Sequence, residues 1–249
     1  MLERIVVAFL DRCDPADGLP RRFPDRLCYW NFYEWAPTLD GSAIHQSTPD
    51  GELPVEAPLC AFLAIACSDL ADIFSLCAAG LTQNAGKTAE YAAGAEKYRA
   101  LALRLAKATG RRFFDPVDGL FRSFSDRPDA PYAVLTQALC LLCGAGEGYN
   151  TDRAVAAVAS NGAGDGLPEV IPATLSSAVF RYDALAAADR EKYASVILSE
   201  LDRDGKYMLD RGATSFWETI KGAVDFGGAG SLCHGWSALA ALWYHRLDN

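Results

Sequence analysis

Residues 85–109 read AGKTAEYAAGAEKYRALALRLAKAT, and this stretch carries the clearest helical pattern in the sequence. Apolar residues recur in it at spacings of three and four, with Lys and Glu between them; they are Tyr91, Ala95, Tyr98, Ala102 and Leu105. Apolar residues at this spacing fall on one side of an α-helix, because the helix has 3.6 residues per turn. The stretch is therefore predicted to be an amphipathic helix that packs on others.

The rest of the chain repeats this order of helix, loop and helix. Asp189 is a suitable N-cap for one helix, and FFDPVDGLFRS (residues 113–123) is predicted to be a turn with short extended flanks. No stretch shows the sustained period-two alternation of a large sheet. About eight helices are predicted, over residues 2–12, 57–79, 85–109, 130–143, 151–160, 173–187, 189–202 and 231–247.

Short loops between successive helices favour antiparallel hairpins, arranged either as a toroid or as a solenoid. Solenoids show periodic sequence repeats, and none is evident here. We therefore predict an all-α fold of the (α/α)6 toroid type, in a single domain over residues 1–249. Six hairpins contain twelve helices, so eight predict an incomplete ring.

Charge and hydropathy limit the kinds of partner. The chain has 249 residues, 51% of them hydrophobic and 22% charged, with a formal net charge of -9. An acidic surface repels phosphate backbones and anionic lipids, which argues against nucleic-acid or membrane binding. The apolar stretch 57–80 contains Asp69 and Asp72, which favours a buried helix over a membrane span. The amino-terminal residues do not resemble a secretory signal, and a cytoplasmic location is expected.

The eight cysteines do not form a metal-binding pattern. Cys140 and Cys143 form a single CxxC inside the apolar run ALCLLCG, without a second pair at zinc spacing. Reduced thiols that pack as small apolar groups are expected. No metal and no cofactor are predicted, and the GxSxG, P-loop, GxGxxG and HExxH motifs are absent from the sequence.

An unusual aromatic segment lies near the amino end. Its six consecutive residues are Trp30, Asn31, Phe32, Tyr33, Glu34 and Trp35. Aromatic faces stack on the apolar CH surfaces of sugar rings, while an amide and a carboxylate bind hydroxyl groups, so this mixture suits a carbohydrate groove. The alternative is an aromatic loop that plugs the core, with Glu34 exposed or capped.

Two segments near the carboxyl end also suit a binding site. In the first, small residues precede Trp217 and Glu218 at the predicted start of a helix; a Glu in a first helical turn also simply complements the helix dipole. In the second, a glycine-rich run leads into His234 and Trp236. A single His is more often structural than catalytic, but the nearby Trp favours a ligand contact.

At these segments the sequence resembles the α-L-rhamnosidase-like six-hairpin glycosidases of glycoside hydrolase family 78. The runs RGATSFWET (residues 211–219) and SLCHGWSAL (residues 231–239) are similar to the carboxyl-terminal signature of that family. YWNFYEWAPTLDG (residues 29–41) is similar to its aromatic substrate loop, and DGLFRS to a mid-barrel turn. The resemblance extends from about residue 19 to residue 247.

The resemblance implies an (α/α)6 barrel that hydrolyses terminal α-L-rhamnosides or related sugars with inversion. Glu218 then corresponds to the general base, and the sugar subsite is lined by Trp30, Asn31, Phe32, Tyr33, Glu34, Trp35, Trp217, His234 and Trp236. The sequence departs from the family in one respect. The family's general acid lies in an Asp- and Arg-rich motif that ends in Gly-Trp-x-Gly-Asp, and nothing similar precedes Trp30.

This departure leaves several functions open. The chain is expected to be a glycosidase domain without its upstream acid, as a truncated product, a fragment or half of a split enzyme; Glu34 is a less favoured substitute acid. A non-catalytic carbohydrate-binding remnant is the main alternative, and a sugar lyase or epimerase is a third. The incomplete ring also predicts self-association or pairing with a missing barrel half.

Overall fold

The computed structural model of the chain describes residues 2–24, 31–41, 53–80, 85–164 and 166–248. Eight α-helices account for most of these residues, which confirms the predicted all-α class. They are α1 (Leu2–Leu10), α2 (Ala57–Gly80), α3 (Ala85–Phe113), α4 (Val134–Leu142), α5 (Asp152–Ala159), α6 (Ala178–Leu209), α7 (Gly235–Ala238) and α8 (Leu242–Asp248).

Among the described helices, α2 and α3 pack against each other most extensively. On α3 the predicted apolar side is buried at Ala95, Tyr98 and Leu105, and the Tyr98 hydroxyl donates to Glu3 Oε1 of α1 at 2.7 Å. Helix α2 is apolar except at the exposed Asp69 and Asp72, and it is long and apolar enough to cross a membrane by length and composition alone. That is weak evidence, since the core helix of a soluble protein passes the same test.

Two short strand pairs join the helices. Strands β1 (Phe114–Asp115) and β2 (Leu120–Phe121) pair antiparallel, with Phe114 opposite Phe121, and Gly119 makes the turn at a φ of 64°. This confirms the turn predicted for FFDPVDGLFRS. Strands β3 (Tyr132–Ala133) and β4 (Val170–Ile171) pair parallel and hold the start of α4 beside the segment that leads into α6.

Helix α6 is two helices that meet at a kink. The backbone of Asp189 is non-helical, and its Oδ1 accepts a 3.0 Å hydrogen bond from the Lys192 N–H, as the predicted N-cap requires. The buried Arg181 in the first half donates to the Val158 and Ala159 carbonyls at the end of α5. A cation at this position complements the negative end of the α5 dipole.

The two carboxyl-terminal candidate segments differ from the predicted helices. Glu218 was expected at a helix start, but residues 213–221 have no helix, and a 3₁₀ segment covers Gly222–Gly227. The closing helix begins at Gly235 rather than at residue 231, and the 3₁₀ turn Leu239–Ala241 separates α7 from α8. Four glycines from residue 222 to residue 230 explain why no continuous helix follows Glu218, because glycine disfavours a helix.

Candidate functional site

Glu218 lies on an irregular segment that pairs with the segment before α7. Its N–H donates to the Ser231 carbonyl at 2.9 Å, and the His234 N–H donates to the Phe216 carbonyl at 2.8 Å. The Ser231 N–H in turn donates to Glu218 Oε2 at 3.1 Å. These three bonds join the two candidate segments and fix the direction of the Glu218 carboxylate.

His234 lies beside the other oxygen of that carboxylate. Its Nε2 is 3.9 Å from Glu218 Oε1, which is too long for a hydrogen bond but leaves the two groups facing each other. The Glu218 side chain is 13% exposed and that of His234 is 32% exposed. The carboxylate is therefore shielded from solvent but still accessible at its edge.

The aromatic segment near the amino end converges on these residues. The Phe32 ring stacks on Trp236 with centroids 5.8 Å apart, and Trp35 packs edge-on against the same ring at 6.3 Å. The His234 ring stacks on Trp236 at 3.8 Å. We call Phe32, Trp35, Phe226, His234 and Trp236 the aromatic cluster. Segments from the two ends of the sequence thus form one surface next to Glu218.

The aromatic cluster contains two ring nitrogens without hydrogen bonds. Within the described part of the chain, neither His234 Nδ1 nor Trp236 Nε1 has a hydrogen-bond partner, and both atoms are buried. Buried polar atoms are nearly always paired in folded proteins, so unpaired ones require an explanation. The aromatic cluster is therefore a part of the fold where close packing of rings leaves polar atoms unpaired.

Asn31 and Tyr33 alternate along the chain with the half-buried rings of Phe32 and Trp35, and their polar groups bond to the protein. Asn31 Nδ2 donates to the Phe23 carbonyl at 3.0 Å, and the Tyr33 hydroxyl donates to Glu56 Oε2 at 2.5 Å. Burial, together with the nearby Glu56 carboxylate, raises the pKa of the Tyr33 phenol well above its ordinary value. Both side chains hold the aromatic segment in place, and their predicted contact with a sugar stays a prediction.

Glu34 also differs from the predicted position, because its side chain is completely buried. Its Oε2 accepts hydrogen bonds from the Thr174 N–H at 2.9 Å, the Thr174 hydroxyl at 3.2 Å and the Ser177 hydroxyl at 2.5 Å. Burial raises the pKa of Glu34, against the effect of these bonds. Glu34 therefore anchors the aromatic segment to the start of α6 and offers no surface to a sugar.

Trp217 faces the core rather than the aromatic cluster. Its side chain is buried and its ring meets Tyr207 edge-on, with centroids 6.5 Å apart. A Cβ atom at Gly222 would lie 2.7 Å from the Trp217 ring, so the ring fills the space beside that glycine. Trp30, the remaining predicted site residue, lies outside the described residues.

Phe226 is a member of the aromatic cluster that the sequence did not indicate. Its ring packs on Trp35 with centroids 4.5 Å apart, and its φ is 52°, in the left-handed region. Asp225 supports this turn: its carbonyl accepts the N–H groups of residues 228–230, and its Oδ2 accepts a 2.7 Å bond from the Thr219 hydroxyl. That bond lowers the pKa of Asp225. The glycine-rich run noted in the sequence begins after Phe226 and did not indicate this aromatic contact.

The described residues contain no candidate metal-binding site. Among those residues, no group of three or more His, Cys, Asp or Glu side chains is placed to hold an ion. Cys13, Cys60, Cys67, Cys77, Cys140, Cys143 and Cys233 are free thiols. Burial raises the pKa of Cys143 to about 11, which keeps this thiol protonated and weakly nucleophilic.

Residues 68–247 match the family described as bacterial alpha-L-rhamnosidase 6 hairpin glycosidase domain. A comparison with curated proteins found no match. Among solved structures, a family 78 rhamnosidase of Bacillus sp. GL1 is similar, with a TM-score of 0.71 and 21% identity over 98% of this chain and 23% of that chain. A rhamnosidase from Klebsiella oxytoca with rhamnose bound has a TM-score of 0.64 and 19% identity, over 99% of this chain and 41% of that chain.

These comparisons confirm the six-hairpin type of the helical fold. At such identities the solved structures establish the fold alone. The chain spans only 23% and 41% of the two rhamnosidase chains. The single domain over residues 1–249 and the cytoplasmic location stay predictions.

Proposed function

Because the chain belongs to the bacterial α-L-rhamnosidase six-hairpin glycosidase family, we propose that its aromatic cluster binds a terminal α-L-rhamnoside or a related sugar. In this proposal Glu218 is the general base of an inverting hydrolysis. The observation that carries the proposal is the convergence of Phe32, Trp35 and Trp236 beside the shielded carboxylate of Glu218.

The surroundings of Glu218 suit a general base. The Ser231 N–H holds Oε2, while Oε1 is beyond hydrogen-bond distance of His234 and is available to accept a proton from water. A base that is fixed in direction loses little freedom when it binds the reacting water. The aromatic cluster supplies the apolar surface that a sugar needs.

Inversion also needs a general acid about 6.5–9.5 Å from the base, so that the water fits between the two carboxyl groups. Glu34 does not suit this role, since its carboxylate is buried and bonded to Thr174 and Ser177. We therefore propose that the acid belongs to a segment outside this sequence. This same observation favours a second candidate function, carbohydrate binding without hydrolysis.

Hydrolysis of an aryl α-L-rhamnoside by the full chain tests the first proposal. Glu218→Gln should lower kcat by about 10²–10⁴-fold, the usual effect of losing general base catalysis. Affinity for L-rhamnose should change little, since the amide can still bind a hydroxyl group. Glu191→Gln, which makes the same chemical change at an exposed position on α6, is the matched control.

The possible outcomes separate the two functions. Turnover that survives Glu218→Gln unchanged would remove Glu218 from the mechanism. Binding of L-rhamnose without turnover of an aryl α-L-rhamnoside, whose leaving group departs with little help from an acid, would favour carbohydrate binding without hydrolysis. Trp236→Leu should then weaken that binding, because it removes the central ring of the aromatic cluster. If the wild-type chain neither binds nor cleaves, the proposed site is wrong.

A further inference from the structure

A basic cavity of about 660 Å³ lies between α3 and the turn that follows α1. Neither Glu218 nor any member of the aromatic cluster lines it, so the cavity is separate from the proposed sugar site. Small-molecule sites typically have volumes of roughly 300–1,000 Å³, and this cavity lies within that range.

Four exposed cations of α3 line the cavity, and they are Lys97, Arg104, Lys107 and Arg111. Within the described part of the chain, none of the four forms an ion pair with a carboxylate. Arg104, Lys107 and Arg111 follow one another at spacings of three and four residues, so they are neighbours on the helix surface. Like charges at these spacings repel each other, and an anion bound among them would remove that repulsion.

The two carboxylates that line the cavity are held by another cation. Arg21 Nη2 is 2.8 Å from Asp14 Oδ2, and Arg21 Nη1 is 3.2 Å from Asp17 Oδ2. The Oδ1 atoms of these two residues accept the N–H groups of Ala16 and Leu19. The cavity therefore keeps an excess of positive charge, in a chain whose formal net charge is -9.

The bottom of the cavity is apolar. Leu105 and Ala108 are buried there, and Leu10 and Leu101 are half-buried. Because the cations are exposed and these side chains are not, the charge lies at the rim and the apolar surface lies below it. This arrangement suits an anion with a carbon body, since the body covers apolar surface while the charged group stays at the edge.

We propose that this cavity binds a phosphate monoester of a small apolar molecule. Such an ester carries a charge of about -1.5 to -2 at neutral pH and three acceptor oxygens, which matches three adjacent cations better than a single carboxylate does. The guanidinium groups of Arg104 and Arg111 can each donate two parallel hydrogen bonds to phosphate, and Lys107 between them supplies a point charge. The carbon body then lies on Leu101 and Leu105.

Calorimetry with three probes tests the proposal on the full chain. Phenyl phosphate carries the dianion and an apolar body, inorganic phosphate carries the dianion alone, and acetyl-tetraglutamate carries carboxylates on a peptide. Phenyl phosphate should bind about tenfold more tightly than inorganic phosphate, because its ring covers the apolar surface, and more tightly than the peptide. Since the cations are exposed, its affinity should fall as salt rises from about 20 mM to about 500 mM.

Two double variants locate the site. Arg104→Gln with Arg111→Gln should reduce the affinity for phenyl phosphate about tenfold or more. Arg99→Gln with Arg112→Gln makes the same chemical change at two exposed positions of α3 that do not line the cavity, and it should leave the affinity within about twofold. Leu101→Ala should reduce the preference for phenyl phosphate over inorganic phosphate.

Each contrary outcome would overturn the proposal. An equal loss in the two double variants would show only a general attraction of anions, and equal affinity for the two phosphates would show that no carbon body binds. Tighter binding of the peptide would assign the cavity to an acidic protein segment. If the first double variant does not fold, Lys107→Ala serves in its place. Absence of binding by every probe would also refute the site, and none of these results affects the proposed rhamnoside site, which shares no residue with this cavity.

Discussion

The buried carboxylate of Glu34 allows a sharp test of how the aromatic segment is held. Glu34→Ala removes an acceptor that receives three hydrogen bonds. Two of the donors are hydroxyls with other partners: the Thr174 hydroxyl already contacts Ser176, and the Ser177 hydroxyl contacts the Thr174 carbonyl. The Thr174 N–H cannot turn to another partner, so the variant leaves this one donor unsatisfied.

The expected cost follows from that single donor. A buried donor without a partner costs about 1–3 kcal/mol. Thr174 is half-buried, so water can partly replace the lost acceptor, and we expect Glu34→Ala to lower the free energy of unfolding by about 1–2 kcal/mol. Glu34→Gln keeps a carbonyl oxygen for the same donors and removes a buried charge, although its amide N–H₂ occupies the unpaired Oε1 position. We expect its effect to stay within about 1 kcal/mol.

The pH dependence separates charge from shape. Burial raises the pKa of Glu34 in the folded protein, so the folded state binds this proton more tightly than the unfolded chain does. The stability that Glu34 contributes is therefore complete below its unfolded pKa of about 4.3, and it is lost as the pH rises through the folded value. Glu34→Gln should remove this decline.

Urea unfolding, followed by far-ultraviolet circular dichroism at several pH values, measures all three effects. The m-value should stay constant among wild type and variants, which would show that only stability has changed. Equal destabilisation by Ala and Gln at every pH would refute the argument from hydrogen bonding. A loss below about 0.5 kcal/mol for Glu34→Ala would show that the anchor contributes no more than an ordinary surface contact.

Three further predictions concern packing and assembly. Gly230→Ala should destabilise the protein and weaken rhamnoside binding, because the new Cβ would lie 2.1 Å from the Gly222 carbonyl oxygen. Gly205→Ala, which has open space around it in α6, should instead raise the free energy of unfolding by about 0.5–1 kcal/mol, measured by thermal unfolding. Arg181→Met should lower the free energy of unfolding, measured in urea, by about 3–5 kcal/mol, because it leaves the shielded carboxylate of Glu200 without its partner. A loss below about 1 kcal/mol would contradict this prediction. The exposed apolar side chains of α1–α3 should cause self-association, and a monomer in light scattering at high concentration would argue against it.

Local patterns were sufficient to predict much of this fold. The period of Ala95, Tyr98 and Leu105 predicted the buried side of α3, and Asp189 caps the second half of α6 as expected. Such features depend on residues a few positions apart, whose preferences act within one turn of helix. The motif containing Glu218 was equally visible, because a family signature is a local string of residues.

Only the tertiary structure decided which way the side chains of the candidate site face. Glu34 and Trp217 were expected at a sugar and instead point inward, while Phe226 joins the aromatic cluster without a signal in the sequence. The partners that determine these directions are distant along the chain: Glu34 bonds to Ser177, 143 residues away. A local pattern does not contain such a partner, since folding brings it near only when the helices between them have packed.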